Sequence, residues 1–142
     1  MVQRKMYIKD VHASIADSEI ELQTIAAGYG FSPKIAEVEY YDDTCKISME
    51  HLDAECLANI YGDDPADIPA WIWDQIRRMV TTLYEEEGIE YVDITPYNFI
   101  EKDDRIYMID FGDARYTDND KPADWFLSEF MEGENYWNPD YK

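Results

Sequence analysis

Helical periodicity is strongest between about residue 69 and residue 87. Apolar residues recur there at intervals of three and four, which predicts an amphipathic helix with one buried stripe. Pro69 suits the first turn of this helix, and Gly88 stops it. The stripe consists of Ile72, Ile76, Met79 or Val80, and Leu83.

A second, weaker helical pattern runs from about residue 15 to residue 27. Its apolar positions are Ile15, Leu22, Ile25, Ala26 and Tyr29. The candidates for its N-terminal cap are Ser14 with Asp17 or Ser18 with Glu21, and the candidates for its end are Gly28 and Gly30. The pattern therefore predicts a helix and leaves two candidates for each of its ends.

Short β-prone runs account for much of the remaining chain. They cover residues 6–9, about 34–41, about 44–49, 99–100 and 105–109. Asp42-Asp43 separates the second run from the third, and Lys102-Asp103-Asp104 separates the last two. Because such short polar segments between β-prone runs are typical of tight turns, we expect two antiparallel hairpins.

The C-terminal part predicts one more short helix, over residues 122–131, with Trp125, Phe126 and Phe130 directed inward. Residues 136–139 resemble extended chain that docks through its aromatic side chains. Small antiparallel sheets together with helices indicate the α+β class.

Length and composition predict one globular domain. A chain of 142 residues buries about 70% of its unfolded surface, and 46% apolar residues argue against disorder. We expect no membrane span and no signal peptide, since the first 30 residues are polar and acidic. Cys45 and Cys56 lack metal-type spacing, and His12 and His51 are too scattered for a histidine metal site. We therefore expect reduced thiols and a cytoplasmic, intracellular location.

The charge is strongly acidic. Thirty-two Asp and Glu against 12 Lys and Arg give a net charge of −20. Such a surface repels a phosphate backbone, which argues against nucleic acid as a partner, whereas a basic protein partner fits. The same charge keeps the protein soluble, and it requires that any nucleotide arrive with a divalent cation.

Two strings carry candidate chemistry: residues 91–100, YVDITPYNFI, and residues 106–112, IYMIDFG. Pro96 interrupts regular structure, which puts Asp93 and Asn98 on a loop. The predicted hairpin between the strings would bring Asn98 close to Asp110. Two oxygen ligands at one point are what Mg²⁺ prefers.

The two strings resemble the catalytic and metal-binding loops of the protein-kinase-like superfamily, most closely the small atypical kinases of the RIO type and the KEOPS-associated kinase. The resemblance implies that Asp93 orients the attacking hydroxyl and takes its proton. It implies that Asn98 and Asp110 hold Mg²⁺ or Mn²⁺ on the phosphates of ATP. Tyr91 and Val92 stand where many kinases have His and Arg, and the missing Arg suggests that no phosphorylated activation loop docks here.

The resemblance extends to nucleotide contacts nearer the N-terminus. Lys9 resembles the strand lysine that grips the α and β phosphates, and Glu19 resembles the helix glutamate that pairs with it. Glu21 is the close alternative, and capping or solvent exposure is the alternative role for both acids. Glu50 and Leu52 lie in a string that resembles the hinge between kinase lobes, where backbone groups bind adenine.

The resemblance implies a truncated kinase-like fold, with residues 1–52 as a reduced N-lobe and residues 53–142 as a reduced helical C-lobe. It departs from the family ahead of Lys9, where we expect no Gly-rich phosphate loop. The expected function is a minimal phosphotransferase that uses Mg²⁺-ATP to phosphorylate a protein Ser/Thr hydroxyl or a small molecule. The alternative is a kinase-derived binding protein whose acidic surface engages a basic partner.

Overall fold

The computed structural model of the protein describes residues 6 to 141. The strands are β1 (Met6–His12), β2 (Ile35–Tyr41), β3 (Thr44–Glu50), β4 (Ile89–Glu90), β5 (Phe99–Lys102), β6 (Arg105–Met108) and β7 (Arg115–Tyr116). The helices are α1 (Ala13–Gly28), α2 (Leu57–Tyr61), α3 (Ala70–Glu87) and α4 (Trp125–Glu132), with a 3₁₀ turn at Pro65–Asp67. The α+β class is thus confirmed. None of the helices between residues 6 and 141 combines the length and apolar character that crossing a bilayer requires.

The N-terminal sheet is antiparallel, with strand order β1-β3-β2. Its β3 strand alternates strictly, because Cys45, Ile47 and Met49 are buried while their neighbours are only partly covered. These three side chains pack against Ala16 of α1. The predicted turn between β2 and β3 is confirmed, with Asp42 in the left-handed region at φ +48°.

The larger core surrounds α3. The predicted stripe is confirmed, and both alternatives within it, Met79 and Val80, are buried. Gly88 ends the helix in the left-handed conformation, at φ +65°, where a side chain would be strained. Leu22 and Ala26 of α1 also belong to this core, so α1 packs against both apolar clusters.

The start of α1 differs from the prediction, because neither serine pair caps it. The β-prone run continues through Val11, which is partly buried against the sheet cluster, and β1 passes directly into the helix. His12 is the N-cap, and its Nδ1 accepts the Ser14 backbone N–H at 3.1 Å. The helix therefore begins at Ala13, two residues before Ile15.

The C-terminal helix also starts elsewhere than predicted. Asp124 is its N-cap and accepts the backbone N–H groups of Phe126 and Leu127 at 3.0 and 3.1 Å, so α4 begins at Trp125. Phe126 and Phe130 face inward as expected. The prediction for Trp125 was wrong, since the first turn directs this side chain outward and leaves it 49% exposed.

The hairpin of β5 and β6 is confirmed, with Phe99 opposite Met108 and Lys102 opposite Arg105. Asp103 and Asp104 form its turn in the left-handed region, at φ +51° and +63°. An isolated bridge from Cys56 to Ile100 ties the hairpin to the start of α2.

Candidate functional site

A cavity of about 250 Å³ opens between the N-terminal sheet and the β5–β6 hairpin. Its lining includes Lys9 of β1, Glu50 and Leu52 at and after the end of β3, and Asn98 and Asp110 at the open end of the hairpin. Five of the seven residues that the sequence singled out therefore line one cavity. Their roles in binding a ligand stay a prediction.

Lys9 joins two carboxylates across this cavity. Its Nζ pairs with Oε1 of Glu19 and lies 3.3 Å from Oδ1 of Asp110. Glu19 is on the buried face of α1, with its side chain only 3% exposed, whereas Glu21 is exposed. The partner of Lys9 is therefore Glu19, and the alternative with Glu21 was wrong.

Burial and charge act in opposite directions on Lys9. Burial alone would lower its pKa, but the hydrogen bond to Glu19 and the negative charges of Asp110 and Glu19 outweigh that effect and raise the pKa above the ordinary value of 10.5. Lys9 is therefore a fixed cation at physiological pH. In the part of the chain that the structure describes, Oε2 of Glu19 is buried without a hydrogen-bond partner.

The open end of the hairpin brings Asn98 and Asp110 together, as predicted. The Ile109 backbone N–H donates to the Asn98 carbonyl at 2.9 Å, which fixes the two loops side by side. The Asn98 side-chain Nδ2 donates to the carbonyl of Asp93 at 3.0 Å. Since the amide nitrogen is engaged there, Oδ1 is the atom that Asn98 can offer to a cation.

Asp110 has an unusual backbone. Its φ of +64° lies in the left-handed region, which is uncommon outside glycine and costs conformational energy. Its Oδ1 faces Lys9 and also accepts the Gly112 backbone N–H at 3.1 Å. Because both contacts use Oδ1, the second carboxylate oxygen is the one left for a further ligand.

Tyr91 holds the chain on both sides of Asp110. The Tyr91 side chain is fully buried, and its hydroxyl donates to the carbonyl of Ile109. Its ring meets that of Phe111 edge-on, with centroids 5.2 Å apart. The sequence marked Tyr91 only as a departure from the kinase pattern, whereas the structure gives it a contact on each side of the candidate metal ligand.

Asp93 occupies the loop ahead of Asn98 and is partly buried. Burial raises the pKa of its carboxyl group to about 6, and the negative charges of Asp110 and Asp113 add to the rise. A hydrogen bond from Asn98 and the charge of Lys9 offset part of it. A carboxylate with a pKa near 6 is mostly ionised at pH 7 and accepts a proton more readily than an ordinary aspartate.

The donor set fits a divalent cation that is shared with a ligand rather than one held by protein alone. Within residues 6–141, no group of three or more His, Cys, Asp or Glu side chains is placed to hold a metal ion. Asn98 and Asp110 both line the cavity, and each has a side-chain oxygen that would be available to a cation. Mg²⁺ in nucleotide sites commonly takes only one or two protein oxygens and completes its shell with phosphate and water.

Two polar residues near the site were not singled out from the sequence. Gln23 of α1 lines the cavity and donates to the Pro33 carbonyl at 3.0 Å. Asn138, in the C-terminal tail, is 1% exposed and bonds to the loop that carries Asp93. The tail was predicted to dock through its aromatic residues, and no local pattern marks Asn138 as a contact of that loop.

No protein-family model matches the chain, and comparison with curated proteins finds no match either. The chemistry that the site can perform therefore depends on its own side chains. These are the ammonium group of Lys9, the carboxyl group of Asp93 with its raised pKa, and the side-chain oxygens of Asn98 and Asp110.

Proposed function

We propose that the protein is a minimal phosphotransferase of the protein-kinase-like type, which uses Mg²⁺-ATP to phosphorylate a Ser/Thr hydroxyl of a protein substrate. The observation that carries this proposal is the bridge from Glu19 through Lys9 to Asp110, of which Lys9 and Asp110 line one cavity. The truncated kinase-like fold, with a reduced N-lobe over residues 1–52 and a reduced C-lobe beyond, belongs to the same proposal.

The cavity would receive the nucleotide. Glu50 and Leu52 line one part of it and would place backbone groups beside the adenine, while Lys9 would meet the phosphates. A volume of about 250 Å³ is below the usual ligand-pocket range of about 300–1,000 Å³, so part of the nucleotide would stay exposed. Cys45 and Cys56 are free thiols, which fits the reducing, ATP-containing cytoplasm.

Asn98 and Asp110 would hold the cation through Oδ1 of the amide and the free oxygen of the carboxylate. Mg²⁺ or Mn²⁺ bound there would neutralise the charge on the phosphates. Lys9 already contacts Asp110 and would approach the same phosphates as a second positive charge. Bringing cations to the phosphates matters here, because a protein of net charge −20 repels bare ATP.

Asp93 would orient the acceptor hydroxyl and take its proton. Its carboxyl group carries no metal role in this arrangement, and its pKa of about 6 suits a base at neutral pH. Asn98 holds the backbone of Asp93, so the base and the metal ligand keep a fixed relation to each other. A hydroxyl aligned between Asp93 and the terminal phosphate is the geometry that direct transfer requires.

The decisive experiment is labelled-phosphate transfer from Mg²⁺-ATP or Mn²⁺-ATP to the protein itself and to a histone mixture. We expect Asp93→Asn to keep nucleotide binding and to lower transfer by roughly 10²- to 10⁴-fold. Asp110→Ala should lose both binding and transfer. Asp63→Ala, at an exposed acid outside the cavity, is the matched control and should behave like wild type. Equal background signal from wild type and Asp93→Asn with every acceptor and metal would refute the proposed phosphotransferase activity.

A second candidate is a kinase-like binding protein without transfer activity, and the net charge of −20 favours it. Its acidic surface would engage a basic protein, here represented by the histone mixture. Association should be fastest at low salt, since the Debye length falls from about 30 Å at 0.01 M to about 10 Å at 0.1 M. Binding that is lost between those concentrations, without phosphate transfer, would select this candidate over the enzyme.

A further inference from the structure

The C-terminal tail crosses the loop that carries Asp93. Asn138 lies in this tail, and its backbone N–H donates to the carbonyl of Ile94 at 2.9 Å. Its side-chain Nδ2 donates to the carbonyl of Val92 at 2.8 Å. Asn138 therefore holds the residues immediately before and after Asp93.

Asn98 completes the same arrangement from the other side. Its Nδ2 donates to the carbonyl of Asp93 at 3.0 Å. Three consecutive carbonyls, those of Val92, Asp93 and Ile94, thus each accept a bond from one of two asparagines. One of these asparagines is the candidate metal ligand, and the other belongs to the tail.

The remaining polar atoms of Asn138 are used within the tail. Its Oδ1 accepts the Asp140 backbone N–H at 3.1 Å, and its carbonyl accepts the Tyr141 N–H at 3.2 Å. The side chain is 1% exposed, so water does not replace these partners. An aspartate would keep the acceptor but lose the donor, and an alanine would lose both, which makes the position specific for asparagine.

The tail has its own anchors, which are independent of the loop. The Trp137 ring packs against Trp73 of α3, with centroids 4.5 Å apart, and the Tyr136 ring meets Phe126 of α4 edge-on at 5.4 Å. Pro139 restricts the backbone of the residue before it to extended conformations. Asn138 is therefore presented to the loop from a surface that α3 and α4 fix in place.

We propose that the tail is a built-in support for the loop, and that Asn138 is a positioning residue that holds Asp93 where the acceptor hydroxyl reacts. The inference rests on the proposed phosphotransferase function, which it deepens. Asn138 touches neither nucleotide nor acceptor in this arrangement and acts only through the backbone on both sides of Asp93. Displacing a reacting group by about 1 Å lowers a rate by up to about 100-fold, so such a support affects turnover more than binding.

The kinetic test compares Asn138→Ala and Asn138→Asp with wild type in phosphate transfer. Both variants should lower kcat by about 10- to 100-fold while leaving KM for Mg²⁺-ATP within about twofold, because the nucleotide contacts are untouched. Asn135→Ala is the matched control, since Asn135 is exposed in the same tail and contacts Arg77 rather than the loop. An unchanged kcat in both Asn138 variants would overturn the positioning role.

A second measurement does not depend on activity. In the native loop, the Ile94 N–H donates to Val92 and the Thr95 N–H donates to Asp93. Hydrogen–deuterium exchange followed by mass spectrometry should therefore become faster over residues 91–98 in Asn138→Ala, with α3 unchanged. Unchanged exchange over residues 91–98, or exchange that accelerates equally in α3, overturns the proposal.

The two measurements separate this inference from the function on which it rests. If wild type transfers no phosphate, both the proposed phosphotransferase function and the role of Asn138 in positioning a catalytic base are rejected. The exchange measurement then still decides whether the tail supports the loop. If wild type transfers phosphate and the Asn138 variants match it, only the positioning role fails.

Discussion

The ammonium group of Lys9 and the carboxylate of Asp110 lie 3.3 Å apart, measured from Nζ to Oδ1, although 101 positions separate them in the sequence. Glu19 holds the same ammonium group from the side of α1. The contact joins the N-terminal sheet to the end of the β5–β6 hairpin across the cavity. A single cation thus links the part of the site that would meet phosphates to the part that would hold a metal ion.

The first prediction concerns the stability that this pair supplies. Lys9→Met leaves the carboxylate of Glu19 buried without its cation, which should lower the free energy of unfolding by roughly 3 kcal/mol. We expect the double variant Lys9→Met/Glu19→Gln to lose less free energy of unfolding, because it no longer buries the charge of Glu19. Urea unfolding of wild type, the two single variants Lys9→Met and Glu19→Gln, and the double variant gives the four free energies of a double-mutant cycle. Equal losses in Lys9→Met and the double variant would contradict a charge-specific pair.

Local signals explain what the sequence could predict. The hairpin turn at Asp103 and Asp104, and the end of α3 at Gly88, follow from residue types that favour the left-handed region. The resemblance favoured Glu19 over Glu21, and the structure buries Glu19 on the same face of α1 as Leu22 and Ala26, three and seven positions later. These features need only short-range geometry, which a sequence contains directly.

Other features depend on contacts that no local pattern encodes. Asn138 reaches the Val92 carbonyl across 46 positions, and only the packing of the tail on α3 and α4 determines that meeting. The start of α1 was misplaced because β1 runs on to His12 without a break that the sequence marks. Trp125 was predicted to face inward together with Phe126 and Phe130, but the first turn of α4 faces outward there.

The second prediction concerns the metal and the nucleotide. A ligand at a hundred times its dissociation constant stabilises the fold by about 2.7 kcal/mol, which corresponds to a rise in Tm of roughly 5–10 °C for a chain of this size. Thermal unfolding should show this rise with Mg²⁺-ATP in wild type and in Asp63→Ala. Asp110→Ala should lose most of it, because one of two candidate oxygen ligands is removed. An unchanged Tm of wild type at millimolar Mg²⁺-ATP would count against nucleotide binding.

The third prediction concerns pH. The pKa of Asp93 rises from 3.8 to about 6 on folding, so between these values the folded protein binds the proton more tightly than the unfolded chain. Stability should therefore fall as pH increases from about 4 through 6 and stay lower above. Asp93→Asn cannot ionise and should be more stable than wild type at pH 8, by about 1 kcal/mol after allowance for solvent screening.

Urea unfolding of Asp93→Asn and wild type at pH 4 and pH 8 measures this difference. The gain should shrink toward zero at pH 4, where the wild-type carboxyl is protonated in the folded protein. Asp63→Asn, the same substitution at an exposed position outside the loop, is the control variant for the effect of the amide itself. A gain of the same size at both pH values would mean that ionisation of Asp93 is not its cause.

The last prediction concerns the hydroxyl of Tyr91. Burial, reinforced by the nearby charges of Asp93 and Asp110, keeps the pKa of Tyr91 well above its usual value, so the group is a permanent donor to the Ile109 carbonyl. Tyr91→Phe removes only this bond and leaves the partly buried Ile109 carbonyl without it, which should cost roughly 0.5–1.5 kcal/mol of stability.

Tyr91→Phe should also weaken the response to Mg²⁺-ATP, because the freed carbonyl directly precedes Asp110, whose left-handed backbone needs support. Tyr61→Phe is the matched control, since Tyr61 donates to Glu101 at 2.6 Å and does not line the cavity. We expect Tyr61→Phe to keep the full rise in Tm with Mg²⁺-ATP and Tyr91→Phe to lose a substantial part of it. If both variants lose stability but keep the same rise, the Tyr91 hydroxyl supports the core and has no part in holding the metal ligand.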